Sequence, residues 1–244
     1  MASEEQNKVA IVFMAHPDDA EFGSAGTTAV WVNEGWEVYY VICTDASGGG
    51  DDHATILSVE ARHATSEMRK REQRAAGAII GLKDVFFLDY PDGLLEPTLH
   101  LRRDIVRFLR TYRPSRVICP SPDRVWTPNY SIGRHHPDHL ACGQAVMAAV
   151  YPASQNAWDF PELLAEGLTP HKVSELYVVG APVTNHYVDI STTIETKIAA
   201  LRAHDSQVGH HFDEIEKWMH EGAARSGEAE NIPFAEQFHR IENR

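Results

Sequence analysis

Cysteine and long apolar runs are both scarce in this 244-residue sequence. Its three cysteines show no C-x-x-C spacing, and two of them lie in apolar runs, so we expect reduced thiols in the core rather than disulfides or a cysteine metal site. No eighteen apolar residues follow one another, and the first eight residues, MASEEQNK, are polar. These absences predict a soluble, cytoplasmic protein that has no membrane partner.

Positive charge is also in short supply. Lysine and arginine total 22 against 35 aspartates and glutamates, which gives a formal net charge of −13, and no basic block interrupts this balance. A surface of this kind repels the phosphate backbone of nucleic acids and anionic membranes. We therefore predict that the protein does not bind nucleic acid.

Repeats and Gly/Ser/Pro-rich linkers are missing as well, which favours one domain. The chain is 43% hydrophobic and long enough to bury one complete core. We predict a single domain over residues 1–244, of which 1–8 form a polar N-terminal tail.

Short apolar runs alternate with longer stretches of helical spacing. The runs are Val9–Phe13, Val38–Cys43, Val85–Leu88, Val117–Cys119, Leu176–Val179 and Tyr187–Ile190. The helical stretches are Thr27–Glu34, Ala61–Ile80, Leu101–Tyr112, His139–Tyr151 and Thr193–Ala203. This order predicts an α/β fold, a Rossmann-like three-layer αβα sandwich with a mostly parallel sheet. Residues 45–63 have the glycines and polarity of a mobile loop, which should lie over the carboxyl ends of the strands.

The stretch MAHPDDAEFGSAGT, residues 14–27, follows the first predicted strand and concentrates charge in its turn. A dinucleotide-binding turn would carry G-x-G-x-x-G, whereas two adjacent carboxylates repel a phosphate. Helix capping accounts for one carboxylate near a helix start, but not for His16 or for a second acid. A metal site accounts for both.

A second cluster, GRHHPDHLACGQAV, follows the fourth predicted strand. Pro137 suits the first turn of a helix, where its missing N–H is not needed. His136 and His139 are three positions apart, so both can face one cleft. In the commonest doubly wound order the first and fourth strands are neighbours at the switch point, where ligands bind. We therefore expect the two clusters to meet there.

Two imidazoles and one carboxylate make the three-ligand set of a catalytic zinc site, whose fourth position is left for water. We assign His16, Asp19 and His139 as ligands of one zinc ion per chain. Asp18 would then face the water and His136 the substrate. Spacing alone leaves open which of the two aspartates binds the metal.

The motifs AHPDDAE and HPDH resemble those of the PIG-L/LmbE family of zinc-dependent N-acetylglucosamine deacetylases, which includes enzymes acting on bacillithiol and mycothiol precursors. The similarity continues through RKREQRAAGAIIGLKDVFFLDYPDGLL and DISTTIETKIAALRAHDSQ, and covers Val9 to about Gln207. The resemblance implies a hydrolase that removes the N-acetyl group from a small amino-sugar substrate. For the bacillithiol-type branch it also implies a homo-oligomer, with a hexamer as the candidate form.

The resemblance also implies a role for each motif residue. In the first motif the histidine and second aspartate bind zinc and the first aspartate is the general base, which gives His16, Asp19 and Asp18 these roles. In the second motif the last histidine is the third ligand, which is His139. The first histidine, His136, assists the oxyanion or the leaving group, and we expect it to act in its protonated form.

Three further residues match positions of the family. Asp138 resembles an acid that orients His136. Arg69 and Asp92 match positions that contact the sugar, although a charge on a helix face and a turn residue before a glycine explain them equally well.

The sequence also departs from the family pattern. Ala20 stands where many members carry a glutamate, which is displaced here to Glu21, and His135 adds an imidazole beside the second motif. Arg134 lies where some mycothiol-type relatives have an aromatic residue. The alternative function is a zinc-dependent hydratase or amidase acting on another small polar substrate, and a non-catalytic binding module would be expected to have lost ligands that are present here.

Overall fold

A computed structural model describes residues 7–50, 54–126, 132 and 135–243 of the chain. Among these residues, seven strands form one sheet. They are β1 (Val9–Met14), β2 (Glu37–Thr44), β3 (Asp84–Tyr90), β4 (Arg116–Pro120), β5 (Glu175–Val179), β6 (His186–Asp189) and β7 (Ala235–Glu242). The spatial order is β3-β2-β1-β4-β5-β7-β6, and the first five strands are parallel. The predicted α/β fold with a mostly parallel sheet is confirmed.

Helices cover both faces of the sheet. They are α1 (Asp19–Gly23), α2 (Ala25–Asn33), α3 (Val59–Ile80), α4 (Leu99–Tyr112), α5 (Pro137–Ala148), α6 (Pro161–Ala165), α7 (Ile194–Arg202), α8 (Asp205–Val208) and α9 (Phe212–Gly227). Along β1, Ile11 and Phe13 pack with α4 and α5, while Ala10 and Val12 pack with α2, α3 and α7. Because both of its faces are covered, β1 is an uninterrupted apolar run.

The last part of the chain differs from the prediction. β7 was not predicted. It lies between β5 and β6 and pairs antiparallel with both, so it runs opposite to the five parallel strands. The sequence of β7, AEQFHRIE, lacks the apolar pattern of a buried strand. One of its buried positions is Glu236, whose charge is compensated by an ion pair with Lys197. The helix α9 was also missed, although Phe212, Ile215 and Met219 have helical spacing.

The predicted loop over residues 45–63 is partly wrong. The helix α3 begins at Val59, where the Ser58 hydroxyl caps it by accepting the Ala61 N–H at 3.2 Å. Of the remainder, residues 51–53 lie outside the described part of the chain. Gly48 and Gly49 do lie at the carboxyl ends of the strands, as expected. A Cβ built on Gly49 would overlap the guanidinium of Arg69, so a larger residue here would displace that side chain.

The three cysteines, Cys43, Cys119 and Cys142, are buried and free, as expected for core thiols. The sulfur atoms of Cys43 on β2 and Cys142 on α5 are 3.6 Å apart. None of the helices described is both long and apolar enough to cross a membrane.

Candidate metal centre

Both sequence motifs lie at the carboxyl ends of neighbouring strands. β1 pairs with β4 in parallel register, which confirms that the first and fourth strands are adjacent. After β1 the chain turns sharply at Asp18, whose φ of 82° is in the left-handed region, and enters α1. The next helix described after β4 is α5, where Pro137 takes the first helical position and His136 the N-cap. This topology brings residues 16–19 and 136–139 together.

Three side chains with atoms that can bind a metal ion lie close together at this point. His16 Nδ1 is 3.2 Å from His139 Nε2 and 3.6 Å from an Asp19 oxygen, and the other Asp19 oxygen is 3.0 Å from His139 Nε2. Zinc bonds of about 2.0–2.1 Å in tetrahedral geometry place neighbouring donors about 3.3–3.4 Å apart. We call His16, Asp19 and His139 the donor triad, and its spacing fits one divalent metal ion.

The other edge of the His16 ring faces two carboxylates. His16 Nε2 is 3.1 Å from Asp138 and 3.0 Å from Asp92. Burial acts to lower the pKa of His16, but hydrogen bonds to Asp138, Asp19 and Asp92 outweigh it and raise the pKa to about 12. Carboxylates on the second nitrogen of a metal-binding histidine fix its ring orientation. His16, Asp92 and Asp138 also have donor atoms within 4.8 Å of one another, and so do His16, His136 and His139.

Asp138 contacts a different histidine from the one expected. Its side chain is fully buried, and its two oxygens accept the N–H groups of residues 93 and 95 at 2.8 and 3.2 Å. One of them also contacts His16. Only the backbone N–H of Asp138 reaches His136, donating to Nδ1 at 3.2 Å. The Asp138 carboxylate is thus directed toward His16 and the backbone of residues 93–95, so Asp138 orients His16. The expectation that it orients His136 is wrong.

The surroundings of His136 act against its protonated form. Burial lowers its pKa, and the positive charge on His16 lowers it further, although Asp138 acts in the opposite direction. Since Nδ1 accepts a hydrogen bond, the ring proton sits on Nε2. The protonated form of His136 stays a prediction that this lowered pKa opposes, and in either form its Nε2–H can donate a hydrogen bond.

Asp19 is held as a carboxylate. Burial acts to raise its pKa, but His139 and His16 together lower it well below its usual range. One Asp19 oxygen also accepts the His16 backbone N–H at 2.8 Å. Helix capping does not explain the adjacent acids, because the N-cap residue of α1, Asp18, makes no side-chain cap.

Asp18 is paired with Arg69 from α3. Arg69 Nη2 lies 2.9 Å from an Asp18 oxygen and 2.8 Å from the Pro17 carbonyl oxygen, and the arginine is only 5% exposed. Burial raises the pKa of Asp18 to about 7 against the opposing charge of Arg69. A carboxylate with a pKa in this range is suited to accept a proton near neutral pH.

The two predicted sugar contacts lie at the site but are engaged with protein. Arg69 uses Nη2 on Pro17 and Asp18. One oxygen of Asp92 contacts His16, and the other accepts the Gly48 N–H at 2.9 Å. Both residues therefore support the motif residues, while they also line the cavity beside them.

Two cavities meet at the donor triad. A polar cavity of about 360 Å³ is lined by His16, Asp18, Arg69, Asp92, His136 and Gln207. An apolar cavity of about 400 Å³ begins at Asp19 and His139 and is lined by Met14, Phe22, Leu140, Val179 and Trp218, with His135 at its wall. Sequence reasoning missed Gln207, Phe22 and Trp218, since nothing in their local pattern indicates a site. Arg134 lies outside the described residues.

The chain matches the model of the PIG-L family, described as GlcNAc-PI de-N-acetylase, over residues 11–150. It belongs to the PIG-L family. A diacetylchitobiose deacetylase of Thermococcus kodakarensis is 33% identical over 192 residues, which are 79% of this chain and 67% of that protein. A probable N-acetyl-alpha-D-glucosaminyl L-malate deacetylase 2 of Bacillus anthracis is 28% identical over 94% of both chains. The predicted family is thus confirmed.

A solved structure of a PIG-L relative supports the same conclusion. N,N'-diacetylchitobiose deacetylase from Pyrococcus horikoshii, complexed with its inhibitor MPG, superposes with a TM-score of 0.84 at 28% identity. The match covers 96% of this chain and 84% of that one. The likeness therefore extends over nearly the whole chain.

Proposed function

We propose that this PIG-L protein hydrolyses the N-acetyl amide of an N-acetylglucosamine-containing small molecule, with a zinc ion held by His16, Asp19 and His139. The spacing of the donor triad, with Asp18 beside it at a polar cavity, supports this proposal most directly. The relatives named above share the N-acetylglucosamine unit and differ in the group attached to it. We therefore carry over the N-acetylated sugar and leave the attached group unassigned.

The residues around the triad divide the chemistry between them. A bound zinc ion supplies Lewis-acid polarisation of the amide carbonyl and lowers the pKa of water to about 7. Asp18 accepts a proton from the attacking water, with Arg69 holding its carboxylate. His136 donates its Nε2 hydrogen to the developing oxyanion, and one such donor contributes about 3 kcal/mol of transition-state stabilisation.

The two cavities suit the two sides of the amide. Asp18 and His136, which handle protons, line the polar cavity, so the sugar and its nitrogen belong there. The acyl group is the other substituent of the carbonyl carbon and points away from the nitrogen, toward Asp19, His139 and the apolar cavity. This assignment places the reacting carbon at the junction of the two cavities.

Acetate release tests the function. Purified protein loaded with zinc is expected to release acetate from at least one member of a panel containing N-acetylglucosamine, diacetylchitobiose and N-acetylglucosaminyl malate. Asp19→Ala, which lacks a triad member, serves as the inactive control. Release of no acetate from the whole panel, by a zinc-loaded and folded enzyme, would reject this substrate class and favour the hydratase or amidase alternative.

The apolar cavity predicts tolerance of longer acyl chains. N-butyryl and N-hexanoyl forms of the best substrate should be hydrolysed with kcat/KM within about tenfold of the acetyl form, because each buried methylene gains about 0.8 kcal/mol. Amine release is the appropriate measurement, since it is independent of the acid formed. Trp218→Ala should reduce the rate for the longer chains only. A steep fall in kcat/KM from acetyl to butyryl would show that the acyl group does not enter this cavity.

We also propose that the protein is a cytoplasmic homo-oligomer. Three apolar side chains of one short segment, Ile56, Leu57 and Val59, are 74–79% exposed, and a subunit contact would remove this patch from water. Sedimentation velocity distinguishes the oligomer from a monomer.

A further inference from the structure

The backbone of Asp18 is held in an unfavourable conformation by residues of α3. A φ of 82° and ψ of −26° lie in the left-handed region, which costs a non-glycine residue about 1–3 kcal/mol. Arg69 Nη2 binds the preceding carbonyl and the Asp18 carboxylate. Gln73 Oε1 accepts the Asp18 N–H at 3.0 Å. Arg69 and Gln73 are four positions apart, so one face of α3 holds both the side chain and the backbone of Asp18.

The Gln73 amide is itself oriented by Glu21. Gln73 Nε2 donates to Glu21 Oε1 at 2.9 Å, and both side chains are fully buried. An amide that turned over would present its N–H group to the Asp18 N–H, so that two donors would face each other. The Glu21 carboxylate accepts only, and it therefore selects the orientation in which Gln73 accepts from Asp18. Behind it, the buried His204 places Nε2 at 3.4 Å from the second Glu21 oxygen.

We infer that Gln73, oriented by Glu21, is a positioning residue that keeps Asp18 in the left-handed conformation and so directs its carboxylate at the attacking water. This inference rests on the proposed role of Asp18 as the base. Gln73 is fully buried and does not line the polar cavity, so it contacts no substrate. Among the described residues, Gln73 forms hydrogen bonds with Asp18 and Glu21 and none with the donor triad. A substitution that disrupts only the Gln73–Glu21 pair should therefore change kcat without changing KM or zinc content.

An exchange of the two side chains tests the inference. In Gln73→Glu two buried carboxylates face each other at the 2.9 Å contact, and we expect kcat to fall by about 30-fold or more through misplacement of the base. KM should stay within about threefold of wild type. In the double variant Glu21→Gln/Gln73→Glu, the new glutamate accepts from both the Asp18 N–H and the new glutamine. Its kcat should return to within about fivefold of wild type, a coupling that single replacements cannot produce.

Two further variants keep the test decisive. Gln73→Met removes both hydrogen bonds without burying a new charge, so it gives the expected loss of kcat if Gln73→Glu does not fold. Ala76→Gly, on the same helix and equally buried, lowers stability by about 1 kcal/mol and should leave kcat unchanged. The inference is overturned if Gln73→Met keeps wild-type kcat, or if the folded double variant is as slow as Gln73→Glu. Acetate release by the wild-type protein in the same assay separates either result from a failure of the proposed function.

Discussion

Asp18→Asn should lower turnover by about 10²- to 10⁴-fold while zinc remains at wild-type occupancy, because general acid-base catalysis typically contributes this much. Asparagine preserves the size of the side chain and also tolerates the left-handed backbone at this position, where φ is 82°. The replacement therefore removes the proton acceptor with little change of conformation. Turnover and zinc content, measured on the same sample, check the prediction.

The pH profile of the same variant provides a second measurement. Only the ionised Asp18 accepts a proton, so wild-type kcat/KM should fall as pH drops through the pKa of this group. That acidic limb should be absent from Asp18→Asn. Near-normal turnover in the zinc-loaded variant would contradict the role of general base, and loss of zinc would move Asp18 into the ligand set.

His139→Ala should lose the metal and the activity together, because it removes one of three protein donors separated by 3.0–3.6 Å. Wild-type protein should contain about one zinc ion per chain, in keeping with a three-ligand catalytic site. Elemental analysis after dialysis against a weak chelator, together with acetate release, measures both effects. Asp19→Ala should behave in the same way.

Two control variants distinguish the donor triad from the other groups that could hold an ion. The nitrogens of His16, His136 and His139 form one such group, and His16, Asp92 and Asp138 form another. His136→Ala should therefore keep zinc while turnover falls, and Asp92→Asn should weaken zinc binding only moderately, because it removes support from His16 and not a ligand. Full occupancy in His139→Ala, or complete loss in His136→Ala, would require a different ligand set.

Most of the fold was predictable because the parallel core is a series of apolar strands. β1 is buried along its whole length, and its run of six apolar residues has no other simple explanation. β7 was not predictable in this way, because its buried Glu236 is compensated by Lys197, which lies 39 positions earlier in the chain. A pattern of hydrophobic residues records burial by apolar contact, but it does not record burial by a distant ion pair. The helix α9 was within reach of the same periodicity and was missed.

The sequence by itself indicated one metal centre at the ends of β1 and β4, through the residue types and spacing of 16–19 and 136–139 and the order of the strands. The same two motifs indicated the family. The partners of those residues depended on the folded chain. Asp138 lies against His16 and not His136, and Gln73 from α3 holds Asp18 through its backbone N–H. These contacts join residues that are 55 and 122 positions apart. Local spacing determines which side chains share a face of one element, whereas the direction of a carboxylate depends on neighbours that only the packing of separate elements brings within hydrogen-bond distance.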